Sequence, residues 1–213
     1  MLIDPIEKEL KKLQEENSRL KILSEVDGLT GLYNRLAGER LINDRLHKNA
    51  GGNFMVVDVD GFKKINDQYG HLFGDDVLRG LAALMKEIFG GENLVGRFGG
   101  DEFVIFTVKE WNAGKAIEKG KELIRRMEAM GRKMGVKDRF SATIGLSAYQ
   151  DKDTYSSMFS RADFALMQGK KSGKSAVYYY RELHNESRPV AAAESKGAED
   201  TGIDRDMELI WMD

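Results

Sequence analysis

The chain has 213 residues, a net charge of −2 and no cysteine, a size that suits one domain with appendages. Disulfides, thiol catalysis and thiolate zinc are excluded, and the charge balance lacks the basic face of a duplex nucleic-acid binder. No apolar run is long enough to span a membrane and no signal-peptide core opens the chain, so it reads as cytoplasmic, with no membrane partner.

Residues 4 to about 26 read as one helix. Asp4 caps it, Pro5 suits the first turn and Glu7 stands three residues after the cap. Ile3, Ile6, Leu10, Leu13, Asn17 and Leu20 alternate spacings of three and four, the seam of a coiled coil, with Asn17 at a core position that favours parallel pairing. Glu16 and Lys21 are placed to pair across strands. The alternative is an amphipathic helix lying on its own domain, because fewer than three heptads are present. A seam this short predicts a concentration-dependent homodimer.

Residues 27–182 alternate strand and helix signals. Phe54 to Val59 is a β-rich run, and Asp75 to Phe89 is a helix burying Val77, Leu78, Leu81, Ala82, Met85, Ile88 and Phe89. A hairpin over 94–108 follows, then a long charged helix from Trp111 to Met134. Phe140 to Tyr149 is a strand, 154–171 a helix and Val177 to Tyr180 a last strand. In fold class this is α/β in the α+β sense: a mixed, mostly antiparallel sheet flanked by helices. The tail, 183–213, has no period and reads as disordered from about 187. Its Leu209-Ile210-Trp211-Met212 is apolar enough to dock.

Phe98-Gly99-Gly100-Asp101-Glu102-Phe103 joins the two strands of the hairpin. Adjacent acids at such a tip repel unless a cation sits between them, which makes the tip either a metal site or an ordinary solvated turn. Asp58, near the end of the Phe54–Val59 run, supplies a third carboxylate if the strands are neighbours. Such an all-oxygen set suits Mg²⁺ or Mn²⁺ shared with substrate phosphates. Asp58-Val59-Asp60-Gly61 resembles the start of a calcium loop, but Phe62 and Lys63 break that pattern. Gly169-Lys170-Lys171-Ser172-Gly173-Lys174-Ser175 resembles a P-loop but has three residues between its glycines and follows a helix. Its lysines either meet phosphate through charge or complement a helix C-terminus. His47, His71 and His184 show no zinc spacing, and a structural hydrogen bond is the reading for His71.

These motifs together resemble the GGDEF domain of diguanylate cyclases over about residues 25–180. The resembling blocks are Asp27 to Arg35, Asp58 to Asp75, the signature Gly99 to Phe103, Ser141 to Gly145, and Arg161 to Leu166. The resemblance implies a palm-like fold of the polymerase and nucleotide-cyclase type. It implies condensation of two GTP into cyclic di-GMP with release of two pyrophosphates across a dimer. Asp58 and Asp101, with the Val59 carbonyl, would hold two Mg²⁺ or Mn²⁺ ions, and Glu102 would assist. Lys63, the Phe62 N–H, Lys170 and Lys174 would meet phosphate. Asn66 and Asp75 would read guanine, whose N1–H and N2 amine match a carboxylate; Asp75 has an alternative as a helix N-cap. A catalytically weak GTP- or cyclic-di-GMP-binding module is the alternative function.

Departures from the pattern are specific. Met167 and Gly169 replace the usual Tyr and Ala, and the glycine predicts a looser helix. Lys174-Ser175 replaces Arg-Asn, keeping the charge without the bidentate fork. Gly90-Gly91-Glu92-Asn93 stands where many members carry an inhibitory Arg-x-x-Asp, so product feedback through that site is not expected. The chain leaves no room for a sensor domain, so control is expected from a regulator upstream or from a separate partner.

Overall fold

The computed structural model describes residues 7–13, 16, 25–48, 51–182 and 207–210. Its β-sheet has seven strands: β1 (Tyr33–Asn34), β2 (Asn53–Val59), β3 (Leu94–Arg97), β4 (Glu102–Phe106), β5 (Ala142–Ala148), β6 (Val177–Glu182) and β7 (Met207–Ile210). Their order is β1-β3-β4-β2-β5-β6-β7. The β1–β3 and β5–β6 pairs are parallel and the other four antiparallel, a mixed, mostly antiparallel sheet.

Five helices accompany it among the described elements: α1 (Arg35–His47), α2 (Phe62–Tyr69), α3 (His71–Phe89), α4 (Ala113–Met134) and α5 (Tyr155–Lys171). Alternation along β2 divides the core. Met55, Val57 and Val59 pack with α3 and α4, while Phe54 and Val56 pack with α1 and α5. The side chains of one strand thus feed two layers, as a period of two dictates. Gly145 lets α5 approach β5 closely: a Cβ there would lie 2.0 Å from the Ala162 carbonyl oxygen.

Most expected elements are present within two residues of their expected ends. The α3 helix is the exception, starting at His71 rather than Asp75 and capped by Gly70. Asp75 therefore lies inside the helix, which removes its N-cap alternative. Two helices, α1 and α2, were not expected. In α1 the buried positions include Ala37 and Gly38, which give no apolar period. In α2 only Ile65 is buried.

Residues 7–13 and 16 are helical, and Leu10 and Leu13 of the seam are 54% and 59% exposed in the single chain. Ile3, Ile6, Asn17, Leu20 and Lys21 lie outside the described residues. So do 183–206. Within the expected disordered tail, Met207–Ile210 instead forms an edge strand on β6, pairing Ile210 with Tyr179 and Met207 with Glu182. Backbone ladder bonds, which composition does not report, account for that difference. Among the described residues no helix is long and apolar enough to cross a membrane.

Candidate functional site

The site forms where β2, β4 and α5 converge. Asp58 and Glu102 are direct partners in the antiparallel β2–β4 register. Both lie on the α1/α5 face, the face of Val56 and Val104. Directly opposed like charges destabilise a sheet unless something offsets them. Burial first, and then Asp101 and Asp60, push the Asp58 carboxyl above its ordinary value, against the opposing pull of Lys170. Burial, followed by Asp163 and then Asp58 and Asp101, raises Glu102 as well, against Arg35.

The hairpin tip is held from two sides. Phe98 N–H and Gly99 N–H both donate to the Glu102 carbonyl, at 2.9 and 3.3 Å. The Val59 N–H donates to the Asp101 carbonyl at 3.2 Å, tying the tip to the end of β2. Arg97 donates to the Gly100 carbonyl at 2.8 and 3.2 Å and reaches both Asp27 oxygens at 3.0 and 3.2 Å. The opening block thereby clamps the signature loop. Burial alone would raise Asp27, but hydrogen bonds from Thr30 and Arg97 outweigh it and lower the carboxyl. Arg97 has no assigned role in the sequence reading; nothing local marks it, since its partner lies 70 residues away.

Lys170 comes from the last turn of α5. Its ammonium donates to Asp58 and, at 3.1 Å, to Asp60. Burial alone would lower it, but these two carboxylates raise it above its ordinary value. It does not serve as a simple complement to the helix C-terminus. Asp60 also accepts from Thr143 Oγ1 at 2.8 and 3.1 Å and from the Ser175 N–H at 3.1 Å. Asp60, Thr143 and Ser175 carry no role in the sequence reading. Asp60 entered it in the broken calcium-loop pattern and inside the Asp58–Asp75 block, without a role of its own.

Lys174 lines a cavity of about 500 Å³ with Lys121, Arg125 and Ser172. Lys174 and Ser175 have φ of 61° and 54°, left-handed backbone that costs about 1–3 kcal/mol per non-glycine residue. Lys174 N–H to the Gly169 carbonyl, at 3.0 Å, and Ser175 N–H to Asp60 hold this turn. Lys63 is exposed on the first turn of α2, after the left-handed Gly61.

Asn66, one of the expected guanine readers, packs against Gly74, the residue before Asp75. A Cβ at Gly74 would stand 1.9 Å from Asn66 Oδ1 and 3.3 Å from the Phe62 ring. The absent side chain lets Asn66 lie against α3, and Asp75, the next residue along that helix, is half-buried.

The residues present fit a hard divalent cation. Asp58, Asp101 and Glu102 offer only oxygen, and two of the three carboxyls are raised by burial and by one another, a situation that added positive charge relieves. Among the described residues no group of three or more acids or histidines is placed to hold a metal ion. The expected three-carboxylate set is therefore not assembled there, and Asp58, Asp101 and Glu102 are individually oxygen donors of the kind Mg²⁺ shares with substrate phosphates.

A mixed, mostly antiparallel sheet flanked by helices, with acids at the end of a central strand and at a neighbouring hairpin, is the palm-like fold class that the sequence implies. The chain belongs to the GGDEF family: the model described as diguanylate cyclase, GGDEF domain, matches residues 24–176. It is 33% identical over 172 residues to diguanylate cyclase DgcP of Pseudomonas aeruginosa, covering 75% of this chain and 24% of that protein. Diguanylate cyclase VdcA of Vibrio cholerae is 28% identical over 177 residues, covering 79% and 51%. Cyclic di-GMP phosphodiesterase PdeR of Escherichia coli is also similar, 31% identical over 160 residues and covering 73% and 24%. The chain thus spans between a quarter and half of these relatives' lengths.

Among solved structures, the coiled coil and GGDEF domain of DgcB from Caulobacter crescentus, in complex with c-di-GMP, shares the fold. Its TM-score is 0.73 at 24% identity, over 83% of this chain and 96% of that one. Diguanylate cyclase SiaD of Pseudomonas aeruginosa, in complex with its activator SiaC, gives 0.63 at 27% identity, over 84% and 70%.

Proposed function

We propose that the protein is a diguanylate cyclase that condenses two GTP into cyclic di-GMP and releases two pyrophosphates. The observation that carries this reading is the opposed pair Asp58 and Glu102, with Asp101 tied to β2 at the tip and Lys170 against Asp58. Asp58 and Asp101, with the Val59 carbonyl, would hold Mg²⁺ or Mn²⁺, two per site. Held there, such ions would supply a lowered pKa for the ribose 3′-hydroxyl and charge neutralisation on the phosphates.

The chain's own residues do the rest. Asn66 and Asp75 orient guanine, the base whose two adjacent donors a carboxylate accepts. Phe62 N–H and Lys63 hold the terminal phosphates. Lys170 and Lys174 balance the negative charge of the leaving pyrophosphate. Glu102 receives or holds the proton of the attacking hydroxyl, a task suited to a carboxyl raised above its usual value.

One site holds one GTP and the product needs two bonds, so two domains face each other in a homodimer. Exposed Leu10 and Leu13 favour a helical stem that brings them together. The SiaD–SiaC complex supports a separate regulator as a further partner. The PdeR relative favours a second reading, a GTP- or cyclic-di-GMP-binding module without turnover; the intact signature acids favour the first.

The test is incubation with GTP and Mg²⁺ over a range of protein concentrations, measuring pyrophosphate and cyclic dinucleotide. Specific activity should rise with protein concentration. GTP bound without product at high concentration would establish the module instead.

A further inference from the structure

We propose that Asp60 is a positioning residue for the phosphate cations. It gives Lys170 a second carboxylate to rest on, so the ammonium can release Asp58 to a divalent cation without leaving the site. It also fixes the turn that carries Lys174. This rests on Lys170 and Lys174 acting as phosphate cations.

The two acids differ in what else holds them. The Asp58 carboxylate accepts from Lys170 and faces Glu102 across the ladder. Asp60, at 12% side-chain exposure, is fixed by two donors other than Lys170, the Thr143 hydroxyl and the Ser175 N–H. Its own N–H donates to the Ser141 carbonyl at 2.9 Å, and Ser141 and Ser175 share a hydroxyl hydrogen bond. Asp60 is therefore a fixed post at the junction of β2, β5 and the α5–β6 turn. Asp58 is an acceptor whose partner can change.

The consequence for Lys170 follows from charge. A lysine with Asp58 as its sole acceptor competes with any cation for that carboxylate, and once displaced its flexible stem is free to leave. With Asp60 in place the ammonium keeps one ion pair throughout and stays where a triphosphate would arrive. The same carboxylate anchors Ser175 in its left-handed form, so losing it also loosens the backbone under Lys174.

The test is a double-mutant cycle on the intact chain with Asp60→Asn, Lys170→Met and the double variant. Mn²⁺ binding is read by electron paramagnetic resonance without nucleotide. Binding of an α,β-methylene GTP analogue, in which the bond that releases pyrophosphate is blocked, is read by calorimetry. Asp60→Asn should weaken Mn²⁺ binding about tenfold, the usual size for an outer partner of a metal ligand, and should weaken the analogue in parallel.

In the Lys170→Met background the same substitution should change Mn²⁺ binding less than twofold, because no ammonium then competes for Asp58. A loss that persists at full size in that background is a simple charge effect and overturns the proposal. Thr143→Val, which keeps the charge but frees the carboxylate, carries the same cycle should Asp60→Asn not fold. Failure of the unmutated protein to bind the analogue overturns the nucleotide reading. The Mn²⁺ cycle decides the role of Asp60 independently.

Discussion

The Tyr178 ring lies directly over Gly169: a Cβ at Gly169 would stand 2.2 Å from Tyr178 Cδ2 and 2.4 Å from Cε2. A mid-helix glycine usually costs about 1 kcal/mol relative to alanine, and α5 nonetheless runs unbroken through it to Lys171. The glycine is a packing requirement of the β6 aromatic rather than a loose point. Gly169→Ala should therefore destabilise the protein by about 1–3 kcal/mol, the range for overpacking. Urea denaturation checks this, and a higher midpoint would mean that Tyr178 moves aside without cost.

Asp101→Asn should reduce turnover by about 100-fold or more, since even outer partners of metal ligands are worth 10–100-fold. Steady-state pyrophosphate release measures it. Retained activity would remove Asp101 from the metal site.

Asp75→Ser should relax the preference for GTP over ATP. Because α3 begins at His71, no N-cap is lost, and stability should change by no more than about 0.5 kcal/mol. Competition between the two nucleotides, with a thermal melt alongside, separates reading from capping. An unchanged preference would exclude Asp75 as the reader.

Asp27→Asn should loosen the clamp on the signature loop and cost about 1–3 kcal/mol at pH 7. The Asp27 carboxyl is lowered from 3.8 in the fold. Its stabilisation is therefore fully present above that value and is lost as pH falls through the lower, folded one. Urea midpoints of parent and variant should differ at pH 7 and converge in acid. A difference that does not depend on pH would show that the ion pair is not its source.

Micromolar cyclic di-GMP should leave turnover unchanged. Gly90-Gly91-Glu92-Asn93 lacks the Arg and Asp, and its backbone is closed around itself. A Cβ at Gly90 would lie 2.3 Å from the Lys86 carbonyl oxygen, and Asn93 accepts from the Val108 N–H at 2.9 Å. Initial rates with added product test it, and a sharp drop would reveal feedback through this turn or another site.

The sequence made the apolar elements legible and left the small-residue ones hidden. Phe54 to Val59 and the Val77–Phe89 face are runs of large buried side chains, so periodicity finds them. In α1 the residue that meets Phe98 is Gly38, where a Cβ would be 2.7 Å from the ring, and a contact made by an absent side chain has no hydropathy signal. The acids were legible as motifs. Their cationic partners were not: Lys170 meets Asp58 across 112 residues and Arg97 meets Asp27 across 70, and only the fold brings them together. Chemistry resided in local strings, whereas its neutralisation resided in topology.

The pairing of Asp58 with Glu102 carries one more implication. A strand slipped by a single residue turns every side chain to the opposite face. Such a slip of β2 against β4 would send one of these acids toward α3 and α4 and leave the other alone. The same slip would move Phe54 and Val56 into the α3/α4 layer and Met55, Val57 and Val59 into the α1/α5 layer, so the packing of both layers opposes it. A core substitution far from the acids, one that tolerates two alignments of β2, should thus abolish the proposed turnover while the chain remains folded. Alignment of the acids is enforced by the oil around them, which makes the packing of Phe54 and Val56 a fidelity check on the site itself.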